Sequence, residues 1–188
     1  KGLMLVLSSP SGAGKTSICK EILKRDNELD MSISITTRPR RKSEVEGKDY
    51  IFVSEKKFEK LKKENFFIEH AEVFDHFYGT PKKFVENNLE IGRDVLFDID
   101  WQGTQKLSNY SKNDIVSIFI LPPSNSVLLS RLKKRNEDAV EIVKKRMGKA
   151  KSEISHWIEY DYVLINDDLM KCAKEVIVIL KAERKKRI

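Results

Sequence analysis

The start of the chain limits the possible folds most severely. An apolar run, Leu3–Leu7, is followed at once by Ser-Pro-Ser-Gly-Ala-Gly-Lys-Thr. This pattern predicts a strand, a loop of small residues and a helix that begins near Lys15. Such a loop forms a nest of backbone N–H groups at the positive end of the helix. Lys15 supplies a charge for the β- and γ-phosphates of a nucleotide, and the Thr16 hydroxyl is placed to bind Mg²⁺. Ser9 replaces the first glycine of G-x-x-x-x-G-K-[ST], but the flanking strand and helix support the assignment. The expected ATP-binding loop is Ser9, Pro10, Ser11, Gly12, Ala13, Gly14, Lys15 and Thr16.

Composition indicates a chain that folds in water without a disulfide framework. Its 188 residues suffice for one domain with a full core. No apolar run approaches the roughly 20 residues that a membrane helix needs, and the N-terminal run is too short for a signal peptide. Cys19 and Cys172 lie far apart and lack metal-ligand spacing, which favours a reducing cytosol. We therefore expect a cytoplasmic protein without a membrane partner.

The net charge of +7 suits either nucleic acid or small phosphorylated ligands. Basic residues concentrate at 38–42, 131–135 and 181–187. The last cluster is interpreted as a solvated helix end, where the helix dipole favours cations. Aromatic residues are not interleaved with the basic ones, as platforms for stacked bases would be. A phosphorylated small molecule is therefore the preferred ligand, and no nucleic-acid partner is expected.

Strand and helix patterns alternate along most of the chain. The strand-like runs are Leu3–Leu7, Ile33–Ile35, Asp94–Asp98, Ile115–Leu121 and Tyr162–Ile165. The helical stretches are Lys15–Lys24, Trp101–Tyr110, Ser124–Lys134, Asp138–Glu159 and Asp168–Arg184. This order predicts an α/β fold, a three-layer sandwich with a central parallel sheet. Ligands then bind beyond the carboxyl ends of the strands, where the loops 9–16, 36–41 and 98–100 converge.

Two segments interrupt the alternation. Residues 36–90 predict an α/β insert, so that 1–35 and 91–188 form the core. Its elements are strands at Tyr50–Val53, Phe67–Phe74 and Phe77–Tyr78 and helices at Glu55–Lys63 and Pro81–Asn88, the latter with Thr80 as N-cap. Residues 134–146 are charged and lack a strand pattern, which predicts a mobile lid. The following helix carries an apolar stripe that we expect to be buried: Val143, Met147, Ala150, Ile154 and Trp157.

Polar motifs follow one another in a characteristic order. They are Thr36-Thr37-Arg38, Tyr50, Glu69, Tyr78-Gly79-Thr80, Asp98-Ile99-Asp100-Trp101-Gln102-Gly103, Arg131, Arg135, Arg146 and Asn166-Asp167-Asp168. In these residues, from the loop at 9–16 to Asp168, the sequence resembles a guanylate kinase, a nucleoside monophosphate kinase. The resemblance implies transfer of the γ-phosphoryl group of ATP to GMP or dGMP in purine nucleotide metabolism, with Mg²⁺ as cofactor.

Glu69 is the candidate reader of the nucleobase. A carboxylate can accept hydrogen bonds from both N1–H and the amino group of guanine, whereas adenine would leave the desolvated charge unpaired. Standing alone, Glu69 would be read as a solvent-facing strand residue. The neighbouring motifs favour the binding role. The resemblance implies that Ser34, Thr80 and Asp100 complete the guanine pocket.

The phosphate of GMP requires cations and directed donors. Arg38 and Arg41 supply guanidinium groups, and Tyr50 and Tyr78 supply hydroxyls. The family usually has T-T-R-x-P-R, whereas the proline here stands one place earlier, so that Arg40 remains an alternative to Arg41. The GMP-binding residues implied are Ser34, Arg38, Arg41, Tyr50, Glu69, Tyr78, Gly79, Thr80 and Asp100.

Phosphoryl transfer depends on positioning and charge stabilisation more than on covalent chemistry by the protein. The attacking phosphate oxygen is already anionic, so no general base is needed, and the three histidines are interpreted as structural or surface residues. Asp98, at a strand end, is the expected partner of Mg²⁺ through water, together with Thr16. The resemblance places Asn166 on the adenine side of ATP. The catalytic residues that it implies are Lys15, Arg38, Arg131, Arg135 and Arg146.

Two other classes compete with an enzyme. A non-catalytic guanylate-kinase-like interaction module has usually lost the loop lysine and several phosphate-binding arginines, but Lys15, Arg38 and Arg131 are present here. A GTP-binding switch requires an N-K-x-D motif, and the run 166–168 lacks the lysine. An ATP:GMP phosphotransferase is therefore the preferred prediction.

Overall fold

The computed structural model describes residues 1–134 and 140–187. Within them the strands are β1 (Met4–Ser8), β2 (Leu29–Met31), β3 (Ile35–Thr36), β4 (Ile51–Phe52), β5 (Phe67–Val73), β6 (His76–Pro81), β7 (Asp94–Asp98), β8 (Ile115–Leu121) and β9 (Tyr162–Ile165). The helices are α1 (Lys15–Leu23), α2 (Glu55–Lys63), α3 (Lys82–Glu90), α4 (Trp101–Tyr110), α5 (Asn125–Lys134), α6 (Val140–Ser155) and α7 (Leu169–Lys185). Short 3-10 helices lie at Lys112–Asp114 and His156–Glu159. Across these two ranges, no helix combines the length and the apolar content needed to cross a membrane.

The main sheet is parallel, with the strand order β2-β7-β1-β8-β9. Successive side chains of a strand point to opposite faces, so the apolar run of β1 supplies two cores. Leu5 and Leu7 pack in one cluster with α1 and α7, whereas Met4 and Val6 pack in another with α3 and α4. The predicted three-layer α/β sandwich is thereby confirmed.

The second strand of the main sheet differs from the predicted one. Leu29–Met31 pairs with β7, and Ser32 N still donates to Leu96 O at 2.8 Å. The prediction that Ile33–Ile35 lies in this sheet is wrong, because the chain has left it by then and Ile35 pairs with β6 in a second sheet. The Ile-Ser-Ile alternation is typical of a strand with one buried face, which a mixed sheet provides.

The second sheet is mixed, with the strand order β4-β3-β6-β5. β3 runs parallel to β4, whereas β6 is antiparallel to both β3 and β5. Its apolar face packs on α2, where the buried Phe58 ring stacks on Phe67 at 4.6 Å and on Phe77 at 5.5 Å between ring centres. Ile68 of β5 belongs to the same apolar cluster as Phe97 of β7, which anchors this sheet to the main one.

Thr80 does not cap a helix, contrary to the prediction. β6 extends to Pro81, and α3 begins at Lys82 with Pro81 as the N-cap residue and no side-chain cap bond. The Thr80 hydroxyl instead donates to Glu69 Oε1 at 2.6 Å. Thr80 reaches Glu69 because β6 pairs with β5. Local capping preferences cannot predict such a long-range contact.

The apolar stripe of α6 is only partly as predicted. Val143 and Ala150 are buried against α5. The prediction is wrong for Trp157, which is 46% exposed. The α-helix ends at Ser155, and the tighter 3-10 helix that follows carries Trp157 off the stripe. Of the predicted lid, residues 135–139 lie outside the described part of the chain.

Candidate active site

Residues 9–14 connect β1 to α1 as a tight loop. Gly12 and Gly14 have φ angles of +90° and +97°, a left-handed conformation that other residues rarely adopt. Ala13 N closes a turn onto Pro10 O at 3.2 Å, and α1 begins directly after the loop. A helix N-terminus carries partial positive charge and N–H groups without helical partners, so this loop can hold the phosphates of a ligand.

Asp98, at the end of β7, joins the two functional side chains in the first turn of α1. Its carboxylate lies 2.7 Å from Lys15 Nζ, and Thr16 Oγ1 donates to its other oxygen at 2.9 Å. Lys15 also donates to Ile99 O at 3.0 Å. Burial lowers the pKa of Lys15, but the Asp98 carboxylate outweighs this effect and raises the pKa above its usual value. Lys15 is therefore a fixed positive charge beside the loop.

Asn166 and Arg131 brace the loop. Asn166 Nδ2 donates to Ala13 O at 2.7 Å, and Arg131 donates to Ala13 O and to Asn166 O, each at 3.2 Å. A Cβ on Gly14 would lie 2.5 Å from Asn166 Nδ2, so this close contact itself requires glycine. The buried Asn166 Oδ1 has no hydrogen-bond partner within the described residues, which leaves an acceptor beside the loop for a ligand.

Not all the predicted catalytic arginines lie at the loop. Arg146, on α6, has its guanidinium carbon 5.8 Å from the centre of the Phe74 ring, at the tip of the β5–β6 hairpin. Lys149 Nζ lies 4.0 Å from the centre of the same ring. Arg135 lies outside the described residues. The basic face of α6 therefore contacts the second sheet.

Glu69 is a buried carboxylate on β5, only 4% exposed, and it accepts the hydrogen bond from Thr80. Burial raises the pKa of Glu69 to about 7; the Thr80 bond opposes this shift, and the charge of Asp100 adds to it. A Cβ on Gly103 would lie 2.9 Å from Glu69 Oε2. The glycine at this position of α4 therefore leaves room for the carboxylate. A buried carboxylate held by a hydroxyl is suited to accept N–H groups of a ligand.

Asp100 is the N-cap residue of α4. Its Oδ1 accepts from Gly103 N at 2.9 Å, and its Oδ2 accepts from Gln102 Nε2 at 3.1 Å. The capping role fixes the carboxylate near Glu69, which explains why its charge raises the pKa of that residue. The resemblance indicated a pocket residue, and the structure adds a helix cap.

Ser34 directly precedes β3 in the chain, and Gly79 lies on β6, the strand that pairs with β3. Ser34 is buried, and its carbonyl accepts from Ile51 N at 3.0 Å. Gly79 pairs with Ile35, and a Cβ on it would lie 2.7 Å from the Phe67 ring. The missing side chain at residue 79 therefore serves the packing of the sheet beneath the pocket.

Arg38 forms the centre of a second polar cluster just beyond β3. Its guanidinium donates to Tyr78 Oη at 3.2 Å and to Glu44 Oε1 at 2.6 Å, and it lies 5.4 Å from the centre of the Tyr50 ring. Glu44 also accepts from the backbone N–H of Arg41 at 2.8 Å. Sequence reasoning missed Glu44, whose single signal is an acid a few residues after a basic run.

The Arg38 cluster lies near the phosphate loop. Burial and the charge of Asp98, beside the loop, raise the pKa of Tyr50, whose ring contacts Arg38. Arg41 Nη1 lies 3.9 Å from Glu44 Oε1, whereas the Arg40 side chain is exposed. This arrangement favours Arg41 as the partner of Arg38.

Glu153, on α6, reaches the loop without any sequence signal. Its Oε2 accepts from Ser11 N at 3.3 Å. Burial raises the pKa of Glu153, while the Ser11 bond and the charge of Lys15 oppose the shift. Sequence analysis could not single this residue out, because an acid on an amphipathic helix is ordinarily solvent-facing.

The fold and the site define a class of protein. The first strand of the parallel sheet leads into a small-residue loop. A lysine and a threonine after the loop contact an aspartate at the end of the neighbouring strand of the sheet. This arrangement is typical of phosphate-loop nucleotide-binding proteins. The carboxylate pocket and the arginine–tyrosine cluster provide a second set of polar groups, as a nucleotide kinase with two substrates requires.

Comparisons with known proteins give the family. A family model described as guanylate kinase matches residues 1–183. The chain is 55% identical to a guanylate kinase of Paramagnetospirillum magneticum, over 100% of this chain and 87% of that protein, and 50% identical to one of Agrobacterium fabrum, over 100% and 85%. The crystal structure of guanylate kinase from Anaplasma phagocytophilum matches with a TM-score of 0.82 at 41% identity, over 97% of this chain and 86% of the other. The chain belongs to the guanylate kinase family.

Proposed function

We propose that the protein transfers the γ-phosphoryl group of ATP to GMP or dGMP, giving ADP and GDP or dGDP, within purine nucleotide metabolism. The proposal is carried by the placement of three groups: Asp98 pairs with Lys15 at the phosphate loop and its charge acts on Tyr50, the Tyr50 ring contacts Arg38, and Glu69 is buried on the second sheet. We infer that these groups line one cleft, with the loop and Glu69 at its two ends. Two nucleotides placed end to end in this cleft bring their phosphates together, which supplies most of the rate of a phosphoryl transfer.

Glu69 reads the base in this proposal. Guanine presents N1–H and an amino group side by side, and a carboxylate accepts both hydrogen bonds. Thr80 holds the carboxylate by a hydrogen bond, Asp100 lies close enough for its charge to raise the pKa of Glu69, and Ser34 is buried directly before β3. Adenine would leave a desolvated charge without donors, which is a strong basis for rejecting it.

The arginine–tyrosine cluster holds the phosphate of GMP. Arg38, Arg41, Tyr50 and Tyr78 present guanidinium and hydroxyl donors to one region. The Glu44 carboxylate lies 2.6 Å from Arg38. A phosphate group would take over this ion pair, because it carries more charge and more acceptor oxygens than a carboxylate.

The loop residues 9–16 and Asn166 hold ATP, and Mg²⁺ is the proposed cofactor. Mg²⁺ prefers one or two protein oxygens together with water and substrate phosphates, and Thr16 and Asp98 supply a hydroxyl and a carboxylate that already touch. In the described residues no group of three or more His, Cys, Asp or Glu side chains could hold a metal ion, which is consistent with an ion that binds together with ATP. When bound, the ion neutralises charge on the β- and γ-phosphate oxygens.

Charge stabilisation during transfer falls to Lys15, Arg38, Arg131, Arg135 and Arg146 in this proposal. Lys15 and Arg131 already lie at the loop. Arg146 rests against Phe74 and would reach the transferred phosphate by movement of α6, so we retain residues 134–146 as a lid. The acceptor oxygen of GMP is anionic at neutral pH, and therefore no side chain has to remove a proton.

The division of the chain follows the same proposal. Residues 36–90 form the GMP-binding insert on a core of 1–35 and 91–188. We place the protein in the cytoplasm, since Cys19 and Cys172 are both buried free thiols. The partners in this proposal are ATP and GMP alone, with no nucleic acid and no membrane.

A coupled assay of ADP formation tests the proposal directly. Purified protein with Mg²⁺ and ATP is offered GMP, dGMP, AMP, UMP or TMP in parallel. We expect rapid ADP formation with GMP and dGMP only. Equal rates with AMP and GMP would refute base reading by Glu69, and no turnover with GMP would leave the non-catalytic interaction module as the better description.

A further inference from the structure

α6 contacts both the phosphate loop and the tip of the β5–β6 hairpin. Toward its C-terminus, Glu153 accepts the hydrogen bond from Ser11 N, a donor of the phosphate loop. Arg146, two turns before Glu153, and Lys149, one turn before it, both lie against the ring of Phe74 at the tip of the β5–β6 hairpin. Residues at this spacing share one side of a helix, so a single face of α6 carries an acid to the loop and bases to the second sheet.

The contact of Glu153 with the loop is unusual in its chemistry. The loop is suited to bind an anion. The Glu153 carboxylate accepts a hydrogen bond from one of its backbone N–H groups, which is the kind of donor that binds phosphate oxygens. The charges of Lys15 and Asp100 act on Glu153 from other elements, and the charge of Lys149 acts from the same helix. A bound triphosphate would bring negative charge to this position and repel the carboxylate.

We propose that Glu153 occupies a phosphate donor of the loop, holds α6 in place, and is displaced by the terminal phosphates of the incoming nucleoside triphosphate. The proposal rests on the assignment of ATP as the loop's ligand. Displacement removes the tie between α6 and the loop. It thereby frees the helix that carries Arg146 to move at the moment the donor arrives. Glu153 is a positioning residue in this scheme and touches no reacting atom.

Glu153→Gln tests the proposal, because the amide keeps the size and the acceptor oxygen but removes the charge. We expect the Kd of the variant for a non-hydrolysable ATP analogue with Mg²⁺ to fall about three- to tenfold relative to wild type. Adenosine, which has no phosphates, and GMP should bind both proteins equally. Glu90→Gln, which removes one charge from the exposed end of α3, is the matched control and should leave all three affinities unchanged.

A carboxylate that merely shapes the loop predicts the opposite sign. An unchanged or higher Kd for the ATP analogue in Glu153→Gln would overturn the proposal, and so would an equal fall in Glu90→Gln. If Glu153→Gln unfolds in a thermal melt, Glu153→Asp, which withdraws the charge from Ser11 by one methylene, takes its place with the same expected sign. Wild-type turnover with GMP is measured alongside. Its absence would count against the proposed function, while the binding comparison would still decide the role of Glu153.

Discussion

The phosphate loop and the Glu69 pocket, the two ends of the proposed cleft, have opposite electrostatic character. At the phosphate loop the binding groups are fixed and positive: Asp98 holds the pKa of Lys15 above its usual value, and the loop geometry is set by left-handed glycines. At the base pocket the central group is a buried acid, Glu69, whose pKa of about 7 places it between two protonation states. The donor end should therefore be insensitive to pH near neutrality, whereas the acceptor end should respond to it.

Removal of the fixed charge at the donor end should have the largest effect. Lys15→Met keeps an apolar stem but deletes the ammonium group that we propose stabilises the transferred γ-phosphate, and we expect kcat to fall about 10³-fold. Steady-state kinetics with saturating GMP measures this effect. Lys24→Met, at the exposed end of α1, is the control and should retain full activity. If kcat of Lys15→Met stays within a few fold of wild type, the proposed role of a fixed positive charge at the phosphate loop is wrong.

Glu69→Gln should damage the acceptor end alone. The amide offers one acceptor and a clashing donor pair in place of two acceptor oxygens, so we expect KM for GMP to rise about 100-fold. KM for ATP should stay within about twofold, because no contact of Glu69 reaches the loop side chains in this account. An equal rise in both Michaelis constants would show that Glu69 acts on the whole cleft rather than on the base.

The pH dependence of GMP use should follow Glu69. In the proposed binding mode guanine needs the ionised carboxylate, so with a pKa of about 7 protonation of Glu69 should compete with GMP as the pH falls below neutrality. KM for GMP should rise by up to about tenfold per pH unit between pH 7 and 6, and level off above pH 8. The phosphate of GMP titrates in the same range, so the informative quantity is the difference between wild type and Glu69→Gln. A constant ratio of their Michaelis constants from pH 6 to 8 would contradict the assignment.

Gly103→Ala should produce the smallest effect, and one that separates binding from stability. The added methyl group meets Glu69 Oε2 at 2.9 Å and should push the carboxylate off the base, raising KM for GMP about fivefold. The methyl group also crowds Ile99 at 3.3 Å, and the helix preference of alanine offsets this cost, so the melting temperature should change little. The control is Gly148→Ala on α6, where a Cβ meets nothing within 4 Å. If Gly148→Ala raises KM for GMP as much as Gly103→Ala, the contact with Glu69 is not the cause.

The donor end could be predicted from sequence because its information is local. The β1 strand, the loop and the start of α1 are consecutive, and the buried run at 94–98 ends in the aspartate that faces Lys15. The parallel three-layer core likewise follows from the order of apolar runs. The contacts of Glu69 could not be read in this way, because Thr80 and Gly103 reach it through strand pairing and helix packing between distant segments.

The wrong predictions have the same physical origin. Ile33–Ile35 carried a plausible strand pattern, but the partner available to Ile35 was β6 rather than β7. Trp157 continued a helical stripe in the sequence, but the α-helix ended before it. No sequence motif marks Glu44 or Glu153 as a site residue. Each lies at the site because it accepts a hydrogen bond from another segment, Glu44 from Arg38 and Glu153 from Ser11 N.

The most direct test of the account follows the labelled phosphate itself. Protein, Mg²⁺ and ATP labelled in the γ-phosphate are incubated with GMP, and the nucleotides are separated. The account predicts that the label appears in the β-phosphate of GDP, in an amount equal to the ADP formed. Label released as inorganic phosphate, or retained in ATP while GMP stays unchanged, would contradict direct transfer between two nucleotides in one cleft.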